Sequence, residues 1–132
     1  MKYYLSFGGI NIIGESIAEV IIEKGVVMTL EMCEEYDAFL LDHFLQPFGL
    51  LVNKLHNYSY TYEAKLHVAS LENVKAIAVI TYNQEAKKEI ENIVKHRVQD
   101  NLNVKEFSGL QLGRDEGIKW LENELATIIV DS

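Results

Sequence analysis

Two kinds of hydrophobic pattern divide this chain: short apolar runs and apolar stripes at helical spacing. The two clearest runs are residues 48–52 (FGLLV) and 76–80 (AIAVI). Neither run alternates between apolar and polar residues, which is typical of strands that are covered on both faces of a parallel sheet. We therefore expect both runs to form central strands.

The N-terminal segment predicts two antiparallel strands. Residues 2–13 (KYYLSFGGINII) alternate imperfectly, and the interruption at Gly8 and Gly9 favours a single bent or bulged strand. Residues 16–23 (SIAEVIIE) form the second strand after a short turn at Gly14. A dinucleotide-binding fingerprint would need a helix directly after the glycines, and a strand is expected there instead.

Helical spacing of apolar residues predicts four helices, which span residues 30–44, 61–70, 84–97 and 114–126. Thr29 and Asn83 are expected to cap the first and third helices through their side-chain oxygens. With a last short strand over residues 103–107, the element order is ββαβαβαβα. This order predicts an α/β domain with a mixed, mostly parallel five-stranded sheet and four helices.

Length and composition indicate one compact domain over residues 1–132, because this length suits a single core and the chain is 48% hydrophobic. Residues 127–132 are expected to form an apolar C-terminal tail that packs back or pairs with another chain. Both a monomer and a homodimer are consistent with this pattern.

Charge narrows the classes of partner. The net charge is -8, and residues 15–42 hold eight acidic side chains against one basic side chain. Such a field repels phosphate groups, so we expect neither nucleic acid nor an anionic membrane as partner, whereas a basic protein surface is compatible. A plain solvated surface would explain the same acids.

The single cysteine and the lack of a membrane-spanning or signal segment predict a cytoplasmic protein.

The loop after the first apolar run is the main candidate for a functional site, since α/β sheets bind ligands at the carboxyl ends of strands. The candidate residues are polar or aromatic and lie near those ends: Asn53, His56, Asn57, Tyr58, Ser59, Tyr60, Glu63 and Tyr82. They can form a binding cleft of aromatic and polar groups. They also suit a plain connection in which the tyrosines pack in the core and Ser59 or Thr61 caps the next helix.

Catalysis and metal binding receive less support from the sequence. His56 as a base and Ser59 as a nucleophile would lack an acid to orient the imidazole and a glycine-rich turn for an oxyanion. The four histidines show no paired spacing, and the acids show no calcium-loop pattern. We therefore expect no catalytic residue, no metal and no cofactor.

Several phrases of the sequence resemble one family. They are GVVMTLEMCEEYDAFL, PFGLLVNKLHNYSYTYEA, KAIAVITYN and GIKWLENEL. With the element order, they are similar to the SpoIIAA-like group of STAS-type domains. The resemblance implies a mixed sheet with several helices, no enzymatic activity and a regulatory function, as in the anti-sigma factor antagonists, which bind a kinase-like partner.

The resemblance also implies a phosphorylated serine at the start of the helix after the third strand, a place that falls near Ser59. The family reads Asp-Ser-Ser-Gly there, whereas Tyr58 and Tyr60 flank Ser59 here. We expect a non-enzymatic regulatory or protein-interaction domain that acts through this loop. The alternative, which related binders of hydrophobic ligands imply, is a carrier of a small apolar ligand with an internal cavity beneath the tyrosines.

Overall fold

The computed structural model of the protein describes residues 2–67, 73–96 and 103–131. In chain order the strands are β1 (Lys2–Leu5), β2 (Gly8–Ile13), β3 (Ile17–Ile22), β4 (Val27–Met28), β5 (Phe48–Asn53), β6 (Ser59–Tyr60), β7 (Val74–Thr81) and β8 (Val104–Ser108). The helices are α1 (Leu30–His43), α2 (Tyr62–His67), α3 (Gln84–His96) and α4 (Gly113–Asp131).

The main sheet has six strands in the order β1-β2-β3-β5-β7-β8. Strands β1, β2 and β3 pair antiparallel, whereas β3, β5, β7 and β8 run parallel. The α/β class, the mixed sheet and the four helices are confirmed. The prediction of a mostly parallel sheet of five strands was wrong, because the sheet has an antiparallel half and a sixth strand.

The additional strand arises at the N-terminus, where one bent strand was expected. The chain reverses at Ser6 and Phe7, so that Leu5 pairs with Gly8. The Phe7 side chain is completely buried, which fixes the direction of this turn. A side chain at Gly8 would overlap the carbonyl oxygen of Ile21, so glycine allows β2 to lie close to β3.

Helices cover both faces of the sheet, and each face has its own core. Helices α1, α2 and α3 cover one face, where Leu40 packs in the same cluster as Leu50. Helix α4 covers the other face, where Leu121 packs with Leu51 and Ile80. Because side chains on a strand alternate between faces, the continuous apolar run of β5 supplies both cores.

The helix starts depend on local caps. Thr29 caps α1 and Asn83 caps α3 as predicted, and each side chain accepts a hydrogen bond from the N–H three residues later. For α2, the sequence left Ser59 and Thr61 open as caps. The structure assigns this role to Thr61, whose Oγ1 accepts a hydrogen bond from the Ala64 N–H at 3.2 Å.

The ends of α4 and α2 can be compared with the predicted tail and with the predicted helix boundary. Helix α4 continues to Asp131, so residues 127–131 extend the helix and do not form a separate tail. The predicted end of α2, residues 68–70, lies outside the described residues. Of the helices that the structure describes, none combines the length and apolar character that a membrane span requires.

Candidate functional site

A short ladder holds the loop that was predicted to carry the site. Strands β4 and β6 pair in parallel, with Val27 opposite Ser59 and Met28 opposite Tyr60. The carbonyl oxygen of Asn57 also accepts a hydrogen bond from the backbone N–H of Gly25, two residues before β4, at 2.8 Å. The loop is therefore fixed against the segment that precedes α1.

The structure distributes the eight predicted site residues over three places. Tyr82 and Asn53 meet on the α4 face, where the Tyr82 hydroxyl donates to Asn53 Oδ1 at 2.9 Å. Tyr58 and Tyr60 belong to the core on the opposite face, and their hydroxyl oxygens lie 3.3 Å apart. The remaining four are exposed: His56, Asn57, Ser59 and Glu63. The structure thus does not bring all eight into one cleft.

A buried ionic network centred on Glu19 occupies the α4 face. Glu19 lies in β3 and is 4% exposed. Arg114, at the start of α4, donates to its two carboxylate oxygens at 2.8 and 2.9 Å. Asn53 Nδ2 donates to the same carboxylate at 3.0 Å, and Asn11 Nδ2 lies 3.5 Å from it. This network joins β2, β3, β5 and α4.

The electrostatics of Glu19 fit a structural contact. Burial alone would raise the pKa of this carboxyl, but the hydrogen bonds from Arg114 and Asn53 outweigh burial and lower it. Glu19 was counted among the surface acids from the sequence, and the structure corrects that interpretation. An acid among the apolar residues of IAEVII was a signal of a buried partner, but Arg114 lies 95 residues away.

An apolar cavity lies between the other face of the sheet and helices α1 and α3. Its volume is about 70 Å³, and it is partly open to solvent. The cavity is larger than a single water site, since roughly 10–15 Å³ suffices for one enclosed water. Its aliphatic lining includes Val20, Val52, Val79, Ile90 and Ile93.

The polar groups that reach the cavity come from α1 and β6. They are Cys33, Tyr36, Asp37 and Tyr60. Burial raises the pKa of the Cys33 thiol to about 11, and it also raises the pKa of both tyrosines. Asp37 Oδ2 lies 2.7 Å from Nε2 of His67, so this carboxylate is engaged by α2. Burial raises the pKa of Asp37, and the contact with His67 opposes that effect.

Lys54 and Glu89 form a second buried ionic contact, beside the tyrosines. The Lys54 side chain is 3% exposed, and its Nζ lies 4.2 Å from the centre of the Tyr58 ring. Glu89 Oε1 is 3.8 Å from that nitrogen, which is too far for a hydrogen bond. Neither atom has a hydrogen-bond partner in the part of the chain that the structure describes.

Sequence reasoning missed this pair. The Oε1 atom of Glu89 is buried, although the sequence did not single out this residue among the charged side chains of α3. Lys54 was not considered as a site residue, and lysine is rarely fully buried unless it is paired. Burial lowers the pKa of Lys54, and the nearby Glu89 carboxylate opposes that effect. The charged residue directly after an apolar strand, at the edge where sites occur, was the available signal.

Neither metal ligands nor similarity to other proteins assigns a function to these sites. Within the described ranges, no group of three or more His, Cys, Asp or Glu side chains is placed to hold a metal ion. Compared with protein-family models, curated proteins and solved structures, the chain matches none. The function therefore has to be argued from the geometry of the chain itself.

Proposed function

We propose that the protein is a non-enzymatic domain that binds a small apolar molecule in the cavity between the sheet and helices α1 and α3. The cavity is the observation that carries this proposal. Protein interiors are close-packed and contain few voids larger than a water molecule, because an unfilled volume lowers stability. A cavity of about 70 Å³ with an aliphatic lining is therefore a candidate for occupation by a ligand.

The chemistry of the lining favours binding over catalysis. A general acid or base works best when its pKa lies near the operating pH. The Cys33 thiol, with a pKa of about 11, stays protonated and is a poor nucleophile at neutral pH. The hydroxyls of Tyr36 and Tyr60 are also kept neutral by burial. These groups suit contact with an uncharged ligand.

Methyl NMR during a titration with cyclopentane tests the proposal, since this hydrocarbon is small and, like most of the cavity lining, apolar. We expect saturable shifts at the methyl groups of lining residues such as Val79 and Ile93. The Val52→Phe substitution should fill the cavity and abolish these shifts, and Cys33→Met is a milder filling variant. Val27→Phe is the matched control, because Val27 is 50% exposed.

Two results would contradict the proposal. One is the absence of saturable shifts in the unmodified protein at the solubility limit of cyclopentane. The other is unchanged binding in a folded Val52→Phe or Cys33→Met variant, which would place the probe elsewhere. Circular dichroism of each variant establishes that it is folded.

The regulatory domain that the sequence resemblance implies is the second candidate, and the exposure of Ser59 favours it. Ser59 is exposed in β6, and its N–H donates to the carbonyl oxygen of Val26 at 3.0 Å. A kinase can reach such a hydroxyl, and an acidic surface is compatible with a basic partner. Mass spectrometry of protein from its own cells tests this candidate. One added phosphate that maps to Ser59 would support it, whereas an added lipid-sized mass would support the cavity.

A further inference from the structure

We propose that the ligand is amphipathic, with an apolar body in the cavity and a neutral hydroxyl-type group held between Lys54 and Glu89. The inference rests on the proposed function, because it assumes that the cavity is occupied. It adds the chemistry of the polar end, which the cavity lining alone does not define.

The Lys54–Glu89 pair lies next to residues that line the cavity, although neither Lys54 nor Glu89 is itself a lining residue. Leu50 and Val52 line the cavity, and Lys54 is the next residue of the chain that points to the same face. On α3, Glu89 directly precedes the lining residue Ile90. The Tyr60 ring connects the two regions, since it lines the cavity and its centre is 5.6 Å from Lys54 Nζ. A molecule in the cavity can therefore direct one end towards the pair.

Lys54 Nζ and Glu89 Oε1 are too far apart to form a hydrogen bond with each other. Lys54 Nζ is only a donor, and the ionised Glu89 carboxylate is only an acceptor. They stand 3.8 Å apart, and both atoms are buried without a hydrogen-bond partner among the described residues. Because unpaired buried polar atoms are unfavourable, a group that satisfies both should bind here.

A hydroxyl group meets this requirement. Its oxygen accepts a hydrogen bond from Lys54, and its hydrogen is donated to Glu89. A carboxylate would be repelled by Glu89, and an ammonium group would be repelled by Lys54. The tyrosines do not compete for this role, because the hydroxyls of Tyr58 and Tyr60 already lie 3.3 Å from each other.

Four probes with the same ring test the inference: cyclopentane, cyclopentanol, cyclopentanecarboxylate and cyclopentylammonium. Dissociation constants are measured by methyl NMR titration of the full chain. We expect cyclopentanol to bind about tenfold more tightly than cyclopentane, in line with hydrogen bonds to charged groups. The two charged probes should bind more weakly than cyclopentanol.

Substitutions of Lys54 and Glu89 test whether this pair causes the preference for cyclopentanol over cyclopentane. Lys54→Met keeps the length of the side chain but removes the donor, and Glu89→Gln keeps its shape but removes the charge. Either variant should reduce the preference for cyclopentanol to less than about threefold while cyclopentane binds as before. The exposed α3 residues Lys88 and Glu85 provide matched controls, Lys88→Met and Glu85→Gln, which should keep the full preference.

The outcomes separate the inference from the proposed function. Equal binding of cyclopentane and cyclopentanol to the unmodified protein would overturn the inference and leave the apolar site intact. Failure of all four probes to bind would remove the proposed function itself. Strongest binding of cyclopentanecarboxylate, lost in Lys54→Met, would overturn the hydroxyl assignment, because the polar end would then be an anion.

Discussion

The Arg114→Met substitution removes the charged partner of Glu19 and keeps an apolar stem of similar length. Glu19 is 4% exposed, and without Arg114 its carboxylate retains the donors of Asn53 and Asn11. Removal of one partner from a buried ion pair typically costs about 3–5 kcal/mol, because the other charge stays buried. Since the Arg114 side chain is 44% exposed, water screens part of the interaction. We therefore expect a loss of about 2–3 kcal/mol in the free energy of unfolding.

Substitution of the carboxylate should be milder. Glu19→Gln retains an acceptor for Asn53, and the half-exposed Arg114 can regain water, so we expect a loss of about 1–2 kcal/mol. The double variant Arg114→Met/Glu19→Gln should be more stable than Arg114→Met alone, because no charge is then left buried without a partner. This reversal is the signature of a buried pair in a double-mutant cycle.

The pH dependence of the Arg114→Met effect has a defined sign. In the native protein the pKa of Glu19 is lowered, so its contribution to stability is present above the ordinary value of about 4.3 and is lost as the pH falls through the lowered value. In Arg114→Met, burial remains and the strongest donor is gone, so we expect a raised pKa. Protonation of Glu19 then favours the folded variant. The difference in stability between the two proteins should shrink from about pH 7 to about pH 4.

Urea unfolding followed by circular dichroism measures these free energies. The reasoning would be refuted if Arg114→Met lost less than about 1 kcal/mol at neutral pH, the value of a surface ion pair. It would also be refuted if the double variant were no more stable than Arg114→Met. A third contradicting result would be a growth, on acidification, of the difference in free energy of unfolding between the unmodified protein and Arg114→Met.

Two other predictions concern the antiparallel half of the sheet and the single cysteine. Gly8→Ala should lower the free energy of unfolding by about 1–3 kcal/mol, because its methyl group would overlap the Ile21 carbonyl oxygen. Gly9→Ala is the matched control: its Cβ would lie 3.5 Å from the nearest atom, and equal losses in urea unfolding would contradict the argument. Cys33, buried and with a pKa of about 11, should react with iodoacetamide far more slowly in the native protein than in urea, and similar rates would contradict its burial.

The parts of the fold that the sequence predicted are those with local signals. The continuous apolar runs of β5 and β7 reflect burial on both faces, since Leu50 joins one core and Leu51 joins the other. The caps at Thr29 and Asn83 depend on hydrogen bonds over three residues. Such features leave a pattern in a short window of sequence, and they were found there.

The features that the sequence missed depend on contacts between distant segments. The turn that separates β1 from β2 follows from the burial of Phe7 in a core that the rest of the chain builds. Strands β4 and β6 have two residues each, too few to show any periodicity. The burial of Glu19 depends on Arg114, which lies 95 residues further along the chain.

The candidate site was predicted only in part, for a similar reason. The loop after β5 was identified from its position, and Tyr58 and Tyr60 lie beside Lys54 as parts of one aromatic cluster. Asn53 points to the opposite face, because adjacent residues at the end of a strand alternate. A cavity beneath the tyrosines was expected only for the alternative of a ligand carrier, and Tyr60 does line the cavity of the structure. The residues on the sheet and on α1 and α3 that form the rest of its lining come from distant segments, so no local pattern indicated them.

Two buried ionic contacts among the described residues differ in their hydrogen bonds, and we expect one to act in stability and the other in binding. A buried pair stabilises a fold only when hydrogen bonds complete it, since the attraction must offset the loss of hydration. Glu19 and Arg114 meet this condition, with two bonds of 2.8 and 2.9 Å. Lys54 and Glu89 do not, because they stand 3.8 Å apart and neither facing atom has a hydrogen-bond partner in the described segments. The proposed ligand hydroxyl would supply the hydrogen bonds that this pair lacks. Substitution of Arg114 should therefore change stability, whereas substitution of Lys54 should change what the cavity binds.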